Sequence, residues 1–209
     1  MKRVSRMGFW SSVFTAAMVF LFLVALIISI FNPGLDYLCY IPCAVLPWSF
    51  TLMLISLHYS VPEKKRVFTL AGVISGAVYI VLCTAVYYIQ LSVIQNNSLM
   101  LSNEILTPFV YTPGTPAFAL DMLGYVFLCL GVLASSQVFG KDPLEKWLRR
   151  AMVINGLFAV PTFIYPLIPM PNTAGASGDM FGSIALIFWC LIFIPVPVML
   201  ARYFRQLKP

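Results

Sequence analysis

Residues 9–31 read FWSSVFTAAMVFLFLVALIISIF, a run without a single charge, preceded by Lys2, Arg3 and Arg6. A helix needs about 20 mostly apolar residues to cross ~30 Å of hydrocarbon, so this stretch is long enough to span a bilayer. Its apolar core is too long for the h-region of a secretory signal. No small-residue cleavage site of the A-x-A type follows at Asn32-Pro33-Gly34, so a retained first helix is expected.

Five further runs have the same character: 41–59, 67–94, 117–139, 147–168 and 181–201. They are continuously apolar, whereas transmembrane strands alternate over about ten residues. The sequence therefore predicts an all-α, polytopic integral membrane protein, a single bundle of six transmembrane helices forming one domain over residues 1–209. Composition agrees. The 209 residues are 61% hydrophobic and 10% charged, against ~45–50% and ~25% in ordinary globular chains. A chain this short cannot bury so much apolar surface in one small core, which excludes a soluble enzyme, a disordered chain and a disulfide-stapled module.

The thirteen basic residues divide with the predicted helices. Lys2, Arg3 and Arg6 precede the first; Lys64, Lys65 and Arg66 lie between the second and third. Lys141, Lys146, Arg149 and Arg150 lie between the fourth and fifth or begin the fifth, and Arg202, Arg205 and Lys208 follow the sixth. The alternate connections 32–40, 95–116 and 169–180 hold none. Basic residues in short loops stay on the cytoplasmic side, so both termini are expected in the cytoplasm and the chain in the plasma membrane. The acids Asp36, Glu104, Asp121 and Asp179 then fall toward the outside. The basic rim suits anionic lipid head groups and accounts for a pI of about 9.2 without nucleic acid, for which no compact basic module is present. Trp10, Tyr59, Trp147 and Tyr203 fall near the expected inner interface, and Tyr37, Tyr40, Tyr111 and Tyr165 near the outer one, as an aromatic belt requires. Trp189 lies mid-helix and reads as packing.

Local signals add detail. Asp142-Pro143-Leu144-Glu145 reads as a helix start, with an aspartate cap and a first-turn proline. Prolines crowd the second helix (Pro42, Pro47), the fifth (Pro161, Pro166, Pro169) and the sixth (Pro195, Pro197), where each removes a backbone hydrogen bond. Beside ordinary kinking, the functional reading is an outward-facing cavity walled by irregular second and fifth helices. The proline offsets in the two halves of the chain do not match, so an inverted repeat has no support. Gly72-x-x-x-Gly76, Gly178-x-x-x-Gly182 and the Gly124, Gly131, Ala134 stripe permit close helix approach, within the chain or between subunits of an oligomer. The connection 95–116 carries an apolar middle, 99–111, expected to lie on the membrane surface as a short amphipathic helix.

Among candidate ligand-binding residues, Asp121 leads, because carboxylates inside membranes are functional candidates by default. It lies about one turn inside its helix, where the N-terminal dipole would also favour it as an interfacial acid. Glu104 and Asp179, with Asp36, are expected to join it in an acidic outer vestibule that concentrates cations. Gln90, Gln137 and Asn155 are expected to hydrogen-bond across helices, with Gln90 and Asn155 also candidates for a polar ligand. His58, the only histidine, reads as interfacial. Cys83, Cys129 and Cys190 read as small apolar residues, and a disulfide between Cys39 and Cys43 would be awkward within one helical turn. No catalytic or cofactor motif is present, and no metal-ligand spacing.

Function enters only as a class. The sequence favours a small transporter or channel-like protein for an ion or small solute, on the kinked helices and Asp121. A non-catalytic membrane subunit or regulator, docking through small-residue faces such as Gly72 and Gly76, is the alternative. A lipid-modifying enzyme stands third.

Overall fold

One uninterrupted helix, α1 (Lys2–Phe31), takes up the charge-free run and the basic segment before it. It opens a computed structural model that describes residues 2–96, 102–140, 142–168 and 180–207. Six helical segments in it are long and apolar enough to cross a membrane: Arg3–Phe31, Tyr37–Ser60, Glu63–Ile94, Pro116–Val138, Pro143–Leu167 and Gly182–Gln206. No strand occurs among the described residues. In hydrocarbon a helix alone satisfies its own backbone, which is why continuously apolar runs take this form. The protein is an all-α membrane bundle.

A short turn at Pro33–Leu35 leads into α2 (Tyr37–Ser60), and another at Glu63–Lys65 into α3 (Arg66–Ile89), which ends in a π-helical turn at Gln90–Ile94. The short α4 (Asn103–Leu106) lies in the long connection before α5 (Pro116–Ser135). The fifth span is α6 (Pro143–Leu157) followed by α7 (Ala159–Ile164), and the sixth is α8 (Met180–Phe193) followed by α9 (Pro195–Gln206). Each of the last two spans is broken three residues or fewer before a proline, Pro161 or Pro195, which cannot donate to the turn before it. The second span behaves otherwise: α2 runs unbroken through both Pro42 and Pro47. The expected irregularity is thus found in the fifth span and not in the second.

The chain packs in the order α1 on α2, α2 on α3 and α3 on α5, with α9 returning to lie against α1. Its basic end is tied together by specific contacts. Ser5 Oγ donates to the Phe204 carbonyl, Lys65 Nζ to the Val138 carbonyl at 2.6 Å, and Arg149 Nη2 to Gln137 Oε1 at 3.3 Å. The Phe139 and Tyr203 rings meet edge to face at 5.2 Å. Asp142 caps α6 as expected, accepting from the Glu145 amide at 3.0 Å. Trp147 is exposed, with the Arg150 guanidinium 5.1 Å from its ring.

Small residues let the central helices close up. A side chain at Gly72 would run into Ser135 of α5, at Gly76 into Thr51 of α2, and at Gly124 into Cys83 of α3. The glycine faces are therefore used inside this chain, and Gly72 and Gly76 offer no surface to a partner. Gly178 lies outside the described residues.

The described part of the long connection is tied to the bundle: Leu106 is buried, and the Gln90 side chain holds the backbone that follows. Gln90 Nε2 donates to the Phe109 carbonyl, and the Tyr111 amide donates to Gln90 Oε1 at 3.2 Å. A buried amide satisfies its hydrogen bonds wherever partners are offered, and the nearest are on this loop. Tyr111 is thereby drawn into the bundle.

Candidate functional site

All six spans contribute to a cavity of about 300 Å³ at the end of the bundle remote from the basic residues. It reaches that end, because Asp36 and Pro113, which lie in the connections there, help to line it. The walls are mainly apolar and aromatic. The broken fifth span supplies Phe158, Pro161, Thr162 and Tyr165, while α2 supplies Cys39 and Tyr40 from the turn before its prolines.

Aromatic rings form the floor. Trp189 stacks on Phe193 with centroids 5.1 Å apart and meets Tyr125 edge to face at 5.3 Å. Tyr125 leans on Tyr79, Tyr79 on Phe50, and Phe50 on Phe193. Below this layer the packing is solid. Leu54, Leu57, Leu128, Val132, Leu148, Met152, Val196 and Leu200 are all 0% exposed.

A triangle of tyrosines forms one wall. Tyr40, Tyr87 and Tyr111 stand 6.0, 6.1 and 6.2 Å apart, centroid to centroid, and Tyr111 continues through Phe118 to Tyr165. Behind this wall lies Asp121, fully buried. Its Oδ2 accepts from the Tyr87 hydroxyl at 2.9 Å and from the Tyr111 hydroxyl at 3.0 Å, while its Oδ1 has no hydrogen-bond partner. Among the described residues no lysine, arginine or histidine is paired with it. The Tyr87 and Tyr125 hydroxyls lie 3.4 Å apart, and Tyr125 donates to Cys43 Sγ at 3.7 Å. Burial, then the Asp121 carboxylate, push the Tyr111 phenol far above its usual range. It therefore stays protonated and able to donate. Partial burial also raises the Asp36 carboxyl, against a lowering pull from the Ser29 hydroxyl.

The sequence candidates separate on this geometry. Asp121 is not an interfacial acid: α5 turns it inward against α3 and the loop. Gln90 is buried and serves the cavity by positioning Tyr111, its partners being loop backbone rather than another helix. Glu104 is exposed on α4 and does not line the cavity. Asn155 is fully buried in α6, away from the lining, and neither side-chain amide atom has a partner. The expected cross-helix bond is absent there, because α6 faces apolar packing. Asp179 lies outside the described residues. Gln137 does bond, to Ser136 and Arg149. His58 Nδ1 lies 3.0 Å from Thr69 Oγ1, joining α2 to α3 near the basic end. The described cysteines are all free and buried, Cys39 and Cys43 among them. No group of three His, Cys, Asp or Glu among the described residues could hold a metal ion.

Sequence reasoning missed the tyrosines. Tyr40, Tyr111 and Tyr165 were expected in an interfacial belt, yet they turn inward onto the cavity. Tyr87 and Tyr125 were available signals, since a tyrosine inside an apolar run usually finds a partner for its hydroxyl, although the buried Tyr79 hydroxyl has none. The chain matches no family model, no curated protein and no solved structure.

Proposed function

We propose that this protein is a small membrane transporter whose cavity takes up a small amphipathic molecule from one side of the bilayer. The observation that carries the reading is the cavity itself: about 300 Å³, aromatic-walled and reaching one end of the bundle. That size is at the lower bound of ligand pockets, which are mostly apolar with a few placed polar groups. Alternating access needs one side open and the other sealed around a site near the midplane. The packed layer beneath Trp189 supplies the seal. The helix break at Phe158, in the span broken before Pro161 and in the cavity wall, supplies a hinge point there.

In this reading the basic end lies in the cytoplasm and the cavity opens outside the plasma membrane, as the thirteen basic residues on one set of connections argue. The partner-docking alternative loses its best surface, since Gly72 and Gly76 are enclosed. Purified protein in liposomes tests the proposal with a set of radiolabelled small aromatic solutes of positive, neutral and negative charge. Saturable uptake of at least one, reduced by the cavity-filling substitution Thr162→Phe, is expected. Uptake of none above protein-free liposomes would overturn it.

A further inference from the structure

The chemistry around the cavity specifies more than an apolar occupant. Among the described residues its lining includes one carboxylate, Asp36, and no lysine, arginine or histidine. A second carboxylate, Asp121, stands one side chain behind the tyrosine wall and is 0% exposed. Tyr87 and Tyr111 satisfy its Oδ2, and its Oδ1 is left without a partner. A carboxylate buried in a membrane is retained where it pairs with another charge or with a mobile ion. No basic side chain among the described residues meets that need, so the carboxylate is balanced either by a proton of its own or by a cation from outside the chain.

The tyrosine triangle is suited to deliver it. Ring faces attract cations within about 6 Å of their centroids, and aromatic cages select quaternary ammonium groups. Tyr87 and Tyr111 direct their hydroxyl protons at Asp121, which polarises both phenols toward phenolate and makes their rings richer in electrons. A bare metal ion does not fit, because calcium or magnesium requires six or more oxygen ligands and this lining is chiefly aromatic and apolar. A proton alone would need no cavity.

Resting on the transporter reading above, we infer that the cavity's occupant is a small organic monocation of the arylalkylammonium class, held by the Tyr40, Tyr87, Tyr111 triangle and drawn by the Asp121 charge behind it. The cationic head lies against the tyrosines, and its apolar body against Phe22, Phe158 and Trp189.

The test compares two probes of the same heavy-atom skeleton on the purified full chain: benzyltrimethylammonium and the neutral alcohol dimethyl benzyl carbinol. Binding is followed by isothermal titration calorimetry. The cation is expected to bind at least tenfold more tightly, about 1.4 kcal/mol. Asp121→Asn, checked for folding by circular dichroism, is expected to cut that preference below threefold. The wild-type ratio needs no variant, so the inference stays testable where Asp121→Asn fails to fold. Equal binding of the two probes would overturn the cationic assignment while leaving the cavity reading in place. Binding of neither would overturn both. A preference kept in folded Asp121→Asn would overturn the role given to Asp121.

Discussion

Tyr111 donates a 3.0 Å hydrogen bond to Asp121 Oδ2, and so fastens the connection between the third and fourth spans to a carboxylate inside α5. A hydrogen bond to a charged group contributes about 1.5–3 kcal/mol. Tyr111→Phe keeps the ring and removes only that donor. It is expected to lower unfolding stability in mild detergent by about 1–3 kcal/mol, whereas Tyr88→Phe, on the exposed side of α3, should change it little. Thermal denaturation of the two variants checks this.

Gln90 holds the same loop from the backbone side, with one amide group donating to Phe109 and the other atom accepting from Tyr111. Removing it by Gln90→Ala should open the loop locally. Hydrogen exchange at the Tyr111 amide is expected to quicken at least tenfold, on the order of 1.4 kcal/mol of lost local protection. Exchange at Val132, in the packed part of α5, should not move.

Close helix approach makes a contrast between two glycines. A Cβ at Gly124 would meet Cys83 Sγ, whereas nothing lies within 4 Å of one at Gly34. Overpacking a filled core costs about 1–3 kcal/mol. Gly124→Leu should therefore destabilise the protein by that amount or more, and Gly34→Leu should not. Because the crowding is internal, the oligomeric state on size-exclusion chromatography should be the same for both.

Orientation is open to a labelling experiment. Single cysteines at Gly34 and Lys64 fall in connections at opposite ends of the bundle, and the described native cysteines are buried. A membrane-impermeant maleimide added to intact cells is expected to label Gly34→Cys. It should reach Lys64→Cys only after permeabilisation. The reverse pattern would invert the cavity's side.

The frame of this molecule was legible because it depends on two coarse physical quantities, apolar length and the placement of positive charge. The run from Phe9 to Phe31 could be nothing but a long helix, and the Asp142 cap was visible from local spacing alone. The site was legible only in part. Asp121 stood out as an ion in a greasy segment, but its direction depends on which face of α5 meets α3, a packing outcome set by Gly72, Gly124 and Gly131. The tyrosines were hidden for the same reason. A tyrosine near a helix end fits a head-group belt and an inward wall equally well by sequence, and only Gln90's grip on the loop decides it for Tyr111. Proline was misleading at Pro42 and Pro47, where packing against α1 and α3 keeps α2 helical despite the lost donors.

The central claim is that the cavity beside Trp189 admits a small amphipathic molecule. Trp189 is 5% exposed, whereas Trp10, Trp48 and Trp147 are 59%, 53% and 63% exposed, so replacing those three by phenylalanine isolates its fluorescence. Titration with the neutral quencher para-nitrobenzyl alcohol should then give saturable quenching, lost when Thr162→Phe fills the cavity. Quenching that rises linearly without saturation, and equally with Thr162→Phe, would contradict it.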